Sequence, residues 1–205
     1  AETRAPASAW ADFTATMRPG DVLYIDGYLM DHPSNRQAAQ EALEALPEGV
    51  QVILDVSPVI GIPQGLPAHD VIVSMNHREA QQIINQSAKR GLDQCQGQYR
   101  ERCDQASEAS MVASLLGHPV VVRAGAEGAY FARPATVPAE VSVAASANIG
   151  ADVTYIPTPR VAAIDTNGAG DAHSGVLAAA LAQAIPLERA LLLANCAGAL
   201  STTLV

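Results

Sequence analysis

The stretch VAAIDTNGAGDAHSG, Val161–Gly175, decides how the rest of the chain is read. Its first five residues have the apolar character of a buried strand. A turn of small residues flanked by Asp165 and Asp171 follows, and the Val, Leu and Ala residues beyond it form a helix. An apolar strand that turns directly into a helix is the joint from which α/β folds are built. Gly168, Ala169 and Gly170 carry little or no side chain, so their amides can approach a ligand closely. At a helix start those N–H groups lack intrahelical partners, and the helix dipole adds about 0.3–1 kcal/mol for a nearby negative charge. The turn therefore reads as an anion hole. Asp171 sits at the same helix end, where a carboxylate beside a bound phosphoryl group is tolerable if a substrate hydroxyl lies between them. It then accepts the hydroxyl's proton while the amides steady the moving phosphoryl group. An ordinary turn with an acidic helix start has the same residues, and both readings stand on this stretch alone.

Outward from the turn, apolar strands alternate with helices. DVLYIDGY (Asp21–Tyr28) is a short strand, followed by a helix over Ser34–Leu46 with Ser34 as its N-cap and Ala38, Ala42, Leu43 and Leu46 at helical spacing. Val50–Pro58 and His69–Asn76 are buried strands, the second running directly into the helix HREAQQIINQSAKR. The polar segment Gly91–Gln105 has little periodicity and reads as a surface excursion. Ala106–Gly117 is a helix ending on glycine. HPVVVRAGAEGAYFARP is a strand, a Gly-rich turn and a return strand. Further strands are expected near Val141–Ala144, over Val153–Ile156 and, last, at VAAID. The helix after GAGD runs to about Ala184, and another follows from Pro186. Continuously apolar strands alternating with helices specify a mainly parallel sheet covered on both faces. Ligands of such sheets bind at the carboxyl ends of the strands. Three Gly- or Asn-bearing turns fall there, after Met75, Arg123 and Asp165.

Composition narrows the function classes. The chain has 205 residues, 49% of them hydrophobic, enough for one sizeable core. Its net charge is −9, and its 12 basic residues form no stripe, which argues against nucleic acid. No apolar run approaches the ~20 residues of a membrane span. Three widely spaced cysteines, Cys95, Cys103 and Cys196, suit a reducing cytoplasm, although Cys95 and Cys103 share one polar segment and are near enough to pair. The first residues lack the features of a signal peptide.

Other motif readings fit less well. No Gly-Lys-Ser/Thr of a Walker loop occurs. GAGDAH half-matches the dinucleotide fingerprint, but His173 replaces the third small residue, so a dinucleotide-binding oxidoreductase is the weaker reading. His173 and Ser174 are adjacent on a helix and point in different directions, which rules out a hydrolase triad.

At DTNGAGD, Asp165–Asp171, the sequence resembles the pfkB, or ribokinase, family of carbohydrate kinases, whose C-terminal signature reads approximately D-T-x-G-A-G-D. NHRE (Asn76–Glu79) is similar to the family's N-x-x-E motif, RAGAEG (Arg123–Gly128) to its T-x-G-x-x-G turn, and ANCAGA (Ala194–Ala199) to the helix beside the adenine site. The resemblance implies a ribokinase-like three-layer α/β/α sandwich with a mainly parallel central sheet. It also implies a cytoplasmic kinase using ATP and Mg²⁺ on a sugar or sugar-like substrate. Asp171 would be the catalytic base, with Gly168, Ala169 and Gly170 as anion hole. Asp165 and Thr166 would lie near the substrate, with a monovalent cation, K⁺, near Asp165 in some members. Asn76 and Glu79 would organise Mg²⁺ and its waters. Gly125 and Gly128 would let the backbone approach ATP, and Asn195 would lie near adenine. Family members often form homodimers through a β lid.

Each of these residues also has a purely architectural reading. Glu79 suits a helix dipole, Asn76 an N-cap, Gly125 and Gly128 a hairpin, and Asn195 a satisfied core amide. Arg123 stands where many members have threonine. It can contact a phosphate through its fork or point away. The family's N-terminal strands, β lid and Gly-rich sugar motif have no counterpart here. The expectation is thus a single, incomplete ribokinase-like domain over residues 1–205 that exposes sheet edge and core surface. A non-catalytic nucleotide- or sugar-binding relative is the alternative.

Overall fold

The computed structural model describes residues 7–30, 32–57, 59, 71–89, 104–134 and 153–203. Their order is α1 (Ala7–Thr14), β1 (Val22–Asp26), α2 (Pro33–Glu44), β2 (Gln51–Asp55), β3 (Val71–Asn76), α3 (His77–Lys89), α4 (Gln105–Leu116), β4 (Val120–Arg123), β5 (Ala129–Ala132), β6 (Val153–Ile156), α5 (Ala169–Ala182) and α6 (Leu187–Ser201). The strands form one sheet in the order β1-β2-β3-β4-β5-β6. β1 to β4 are parallel, and β5 and β6 are added antiparallel. The mainly parallel sheet expected from the apolar strands is present.

Side-chain alternation along the strands divides the core into two layers. Val52, Leu54, Val71, Val73, Met75, Val120 and Val122 face α2, α3 and α4, meeting Leu43, Ile83, Ala109 and Val112. Ile53, Ile72, Val121, Phe131 and Ile156 face the other way, onto Leu177 and Ala180 of α5 and Ala190, Leu191 and Ala194 of α6. The result is the α/β/α sandwich that the resemblance implies. At one sheet edge lies β1, and Phe13, Ile164 and Leu200 are exposed apolar side chains. No helix of the described residues is long and apolar enough to cross a membrane.

Two local expectations are corrected. VAAID is not a strand: residues 161–165 are exposed, and the Ile164 and Asp165 amides donate to the Thr202 carbonyl at 2.7 and 3.1 Å instead of to a neighbouring strand. Pro157 and Pro159, which lack N–H groups, stand between β6 and this segment. The N-cap of α2 is His32, not Ser34: its ring nitrogen Nδ1 accepts the Ser34 amide, and Pro33 occupies the first turn, where proline's missing N–H costs nothing. The expected strand near Val141–Ala144, the segment 91–103, Cys95 and Cys103 lie outside the described residues. Cys196 is a free thiol.

Candidate active site

The carboxyl ends of β2, β3 and β4 converge with the N-terminus of α5. At β3 the chain enters α3 through a reciprocal capping box. The Asn76 side-chain oxygen accepts the Glu79 amide at 3.0 Å, and Glu79 Oε2 accepts the Asn76 amide at 2.7 Å. The architectural reading of both residues is therefore realised, and it also fixes the buried Glu79 carboxylate at the sheet edge. His77 extends the arrangement: its Nδ1 meets Glu108 Oε2 of α4 at 2.7 Å, and Gln81 donates to Glu108 Oε1 at 3.2 Å.

Arg123, the last residue of β4, turns inward. Its Nη1 donates to Asp55 Oδ2 at 2.6 Å and to Ser174 Oγ at 3.1 Å, and its Nη2 to Asp55 Oδ1 at 3.4 Å. Ser174 Oγ in turn donates to Asp55 Oδ2 at 3.0 Å. Glu79 Oε2 lies 4.0 Å from Arg123 Nη2. Asp55 and Ser174 did not stand out in the sequence. Asp55 has one visible signal, a carboxylate closing the apolar run VQVILD; Ser174 has none beyond its place after the GAGD turn.

The GAGD turn lies against this cluster. Gly168 caps α5 with φ 74°, a left-handed conformation that glycine adopts without steric cost. It offers no side-chain cap. Among the described residues, the Gly170 and Asp171 amides have no backbone acceptor. Asp171 is exposed in the first turn. Asp165 Oδ1 accepts the Asn167 amide at 2.9 Å and shapes the approach, and Thr166 is exposed beside it. Tyr24 of β1 is a further neighbour. Its phenol is pushed up to about 12, first by burial and then by the carboxylates of Asp55, Asp26 and Asp171, so it stays a protonated donor.

The remaining expected residues have mainly structural partners. Gly125 has φ 59° and open space where a side chain would be. A Cβ at Gly128 would collide with the Ile156 carbonyl oxygen, so glycine there lets β5 and β6 approach. Asn195 is buried, and its amide donates to the Ile156 and Pro157 carbonyls at 3.0 Å each.

His173 is buried on α5, and neither ring nitrogen has a hydrogen-bond partner, the nearby Asn195 amide being spent on those carbonyls. Burial, reinforced by the Arg123 charge, lowers its pKa from 6.5 to about 4. The unfolded chain thus binds a proton more readily than the folded one. Stability is full above pH 6.5 and falls as the pH drops toward 4, by roughly 2 kcal/mol at pH 5 and roughly 3 kcal/mol below the folded pKa. Urea unfolding of wild type and His173→Phe at pH 7.5 and 5 is expected to show this loss in the wild type only. An equal loss in both would assign it to another group.

The donor set suits magnesium: one hard carboxylate, Glu79, already holding an N–H, leaves an ion to keep waters and use phosphate oxygens, as Mg²⁺ does. Among the described residues no group of three or more metal-ligating side chains is present, so a dedicated protein cage is not available there.

The pfkB family carbohydrate kinase model matches residues 2–204. The uncharacterized sugar kinase YegV of Escherichia coli (strain K12) is 31% identical over 187 residues, covering 88% of this chain and 48% of that protein. Among solved structures, ribokinase of Thermotoga maritima superposes with a TM-score of 0.63 at 21% identity, covering 95% of this chain and 53% of that one. The aminoimidazole riboside kinase of Salmonella enterica, complexed with aminoimidazole riboside and an ATP analog, gives 0.57 at 23% identity, covering 89% of this chain and 56% of that one. The chain spans about half the length of these relatives. Sequence motifs, sheet order and the family match agree: the chain belongs to the pfkB family of carbohydrate kinases.

Proposed function

We propose that this chain carries the nucleotide side and the catalytic base of an ATP-dependent kinase acting on a hydroxyl of a sugar or sugar-like molecule. The observation that supports it most is the start of α5: free amides at Gly170 and Asp171, and an exposed carboxylate in the same turn. In this reading the Asp171 carboxylate accepts the proton of the substrate hydroxyl. The hydroxyl oxygen forms a bond to the γ-phosphorus as the bond to the ADP oxygen breaks, and the Gly168, Gly170 and Asp171 amides face the charge on the phosphoryl oxygens; the Ala169 amide, expected in the same hole, is instead taken by the Thr166 carbonyl at 3.3 Å. Asp165 and Thr166 line the substrate approach. Asn76 and Glu79 would hold Mg²⁺ through water, and the ion would neutralise phosphate charge. In this reading the Gly125–Gly128 turn, with Gly125 open to solvent, faces the nucleotide while the Arg123 side chain turns inward, and Asn195 anchors the strand end near the base.

Other members of the family act on different substrates. The Salmonella structure holds a riboside and an ATP analog, which favours testing nucleosides beside simple sugars. The test is ATP consumption by the full-length protein with a panel of pentoses, hexoses and nucleosides. Turnover on one substrate names the acceptor. ATP binding without turnover on the whole panel would favour the non-catalytic relative instead.

A further inference from the structure

The inward turn of Arg123 gives it a role other than holding a phosphate. Its Nη1 has two hydrogens, and the two closest acceptors are Asp55 Oδ2 at 2.6 Å and Ser174 Oγ at 3.1 Å. Gly170 O lies at 3.5 Å, at the limit of a bond. The guanidinium is pressed against the first turn of α5: a Cβ added at Gly170 would sit 3.6 Å from its carbon and both terminal nitrogens. Ser174, one helical turn beyond Gly170, closes the triangle by donating to the same Asp55 oxygen at 3.0 Å. Nη2 faces Asp55 Oδ1 and, at 4.0 Å, Glu79 Oε2. The Arg123 side chain is 13% exposed and that of Asp55 5%. Its hydrogen-bonding capacity is therefore directed inward.

We propose that Arg123, Asp55 and Ser174 form a clamp that positions the first turn of α5, and so Asp171, against the sheet edge and the start of α3. The proposal rests on the kinase reading above and deepens it: Arg123 is a positioning residue that acts through Asp171 and does not contact the nucleotide. The physical need is plain. A base works when it lies about 2.6–3.2 Å from the oxygen whose proton it takes, and a 1 Å displacement costs about 10²-fold in rate. The turn itself has no side-chain cap, and its glycines leave it free to shift. Four hydrogen bonds among a planar fork, a carboxylate and a hydroxyl fix one geometry. A lysine, a point charge on a flexible stem, cannot reproduce the fork.

The test uses the full-length protein and two variants, Arg123→Lys and Ser174→Ala, the second removing only a hydroxyl in case the first does not fold. Steady-state kinetics and amide hydrogen exchange are read together. In both variants the α5 amides from Ala172 to Ser174 are expected to exchange about tenfold faster, with α4 unchanged. In both, kcat is expected to fall by about tenfold or more while KM for ATP moves less than about threefold, the signature of an interaction that matters in the transition state. A KM for ATP raised about tenfold with kcat retained would overturn the proposal in favour of a phosphate contact. Unchanged exchange would show that no clamp exists, and faster exchange with unaltered kcat would reduce the cluster to a structural tie. A wild type without turnover on any substrate would sink the kinase reading, and the exchange data alone would still decide the clamp.

Discussion

Asp171→Asn is expected to lower sugar-dependent ATP turnover by about 10²–10⁴-fold, the usual contribution of a positioned general base, with ATP affinity within a few-fold of wild type. Asparagine keeps the shape and a helix-capping oxygen but cannot take a proton at neutral pH. The carboxylate is exposed in the first turn of α5, and among the described residues no hydrogen bond ties its side chain to the protein, so its replacement is expected to leave the fold intact. The free amides of the turn remain, and binding that depends on them remains too. The measurement is kcat and KM with the best substrate of the panel, together with equilibrium binding of ATP. A variant that turned over at near-normal rates would remove Asp171 from the chemistry and leave it as a dipole-complementing acid worth about 0.3–1 kcal/mol.

How much of this was legible without coordinates depends on the scale of the interaction. The strands were readable because burial on both faces of a parallel sheet demands uninterrupted apolar runs, as in VQVIL and VIVSM. The N-cap at Asn76 was readable because it and the start of α3 lie within one turn, whereas the return bond from Glu79 to the Asn76 amide is a finding of the fold. Arg123 stands out in the sequence, but its direction does not: its partners Asp55 and Ser174 lie 68 and 51 positions away, and only the sheet order brings them together. VAAID misled because apolar residues look the same whether a sheet or the end of another helix supplies their backbone partners. Here Thr202, 37 residues beyond Asp165, takes those bonds. The left-handed cap at Gly168 is visible only in the fold, and the need for glycine at Gly128 comes from the close approach of β6.

Asp55→Ala is expected to destabilise the chain by about 3–5 kcal/mol, because it leaves the Arg123 guanidinium buried without its hydrogen-bonded counter-charge, the Glu79 carboxylate standing 4.0 Å off. The estimate follows from burial more than from the strength of the bond. Side-chain exposures of 5% for Asp55 and 13% for Arg123 mean that little solvent is available to replace the lost carboxylate. Ser174 would also lose the acceptor of its hydroxyl, adding an unsatisfied group at the same point. In Asp55→Ala combined with Arg123→Met, neither member of the pair is left to desolvate and an apolar side chain fills part of the space, while the buried Glu79 carboxylate loses the cation 4.0 Å away, so part of the loss is expected to be recovered. Urea unfolding of the wild type, both single variants and the double variant measures the coupling directly. A loss below about 1 kcal/mol for Asp55→Ala, the range of exposed ion pairs, would mean that water enters beside the guanidinium and that the cluster behaves as surface. A large loss with recovery in the double variant would identify the pair as an electrostatic commitment costly to stability. Its retention at the edge that carries Asp171 and Glu79 is then best explained by the geometry it imposes there.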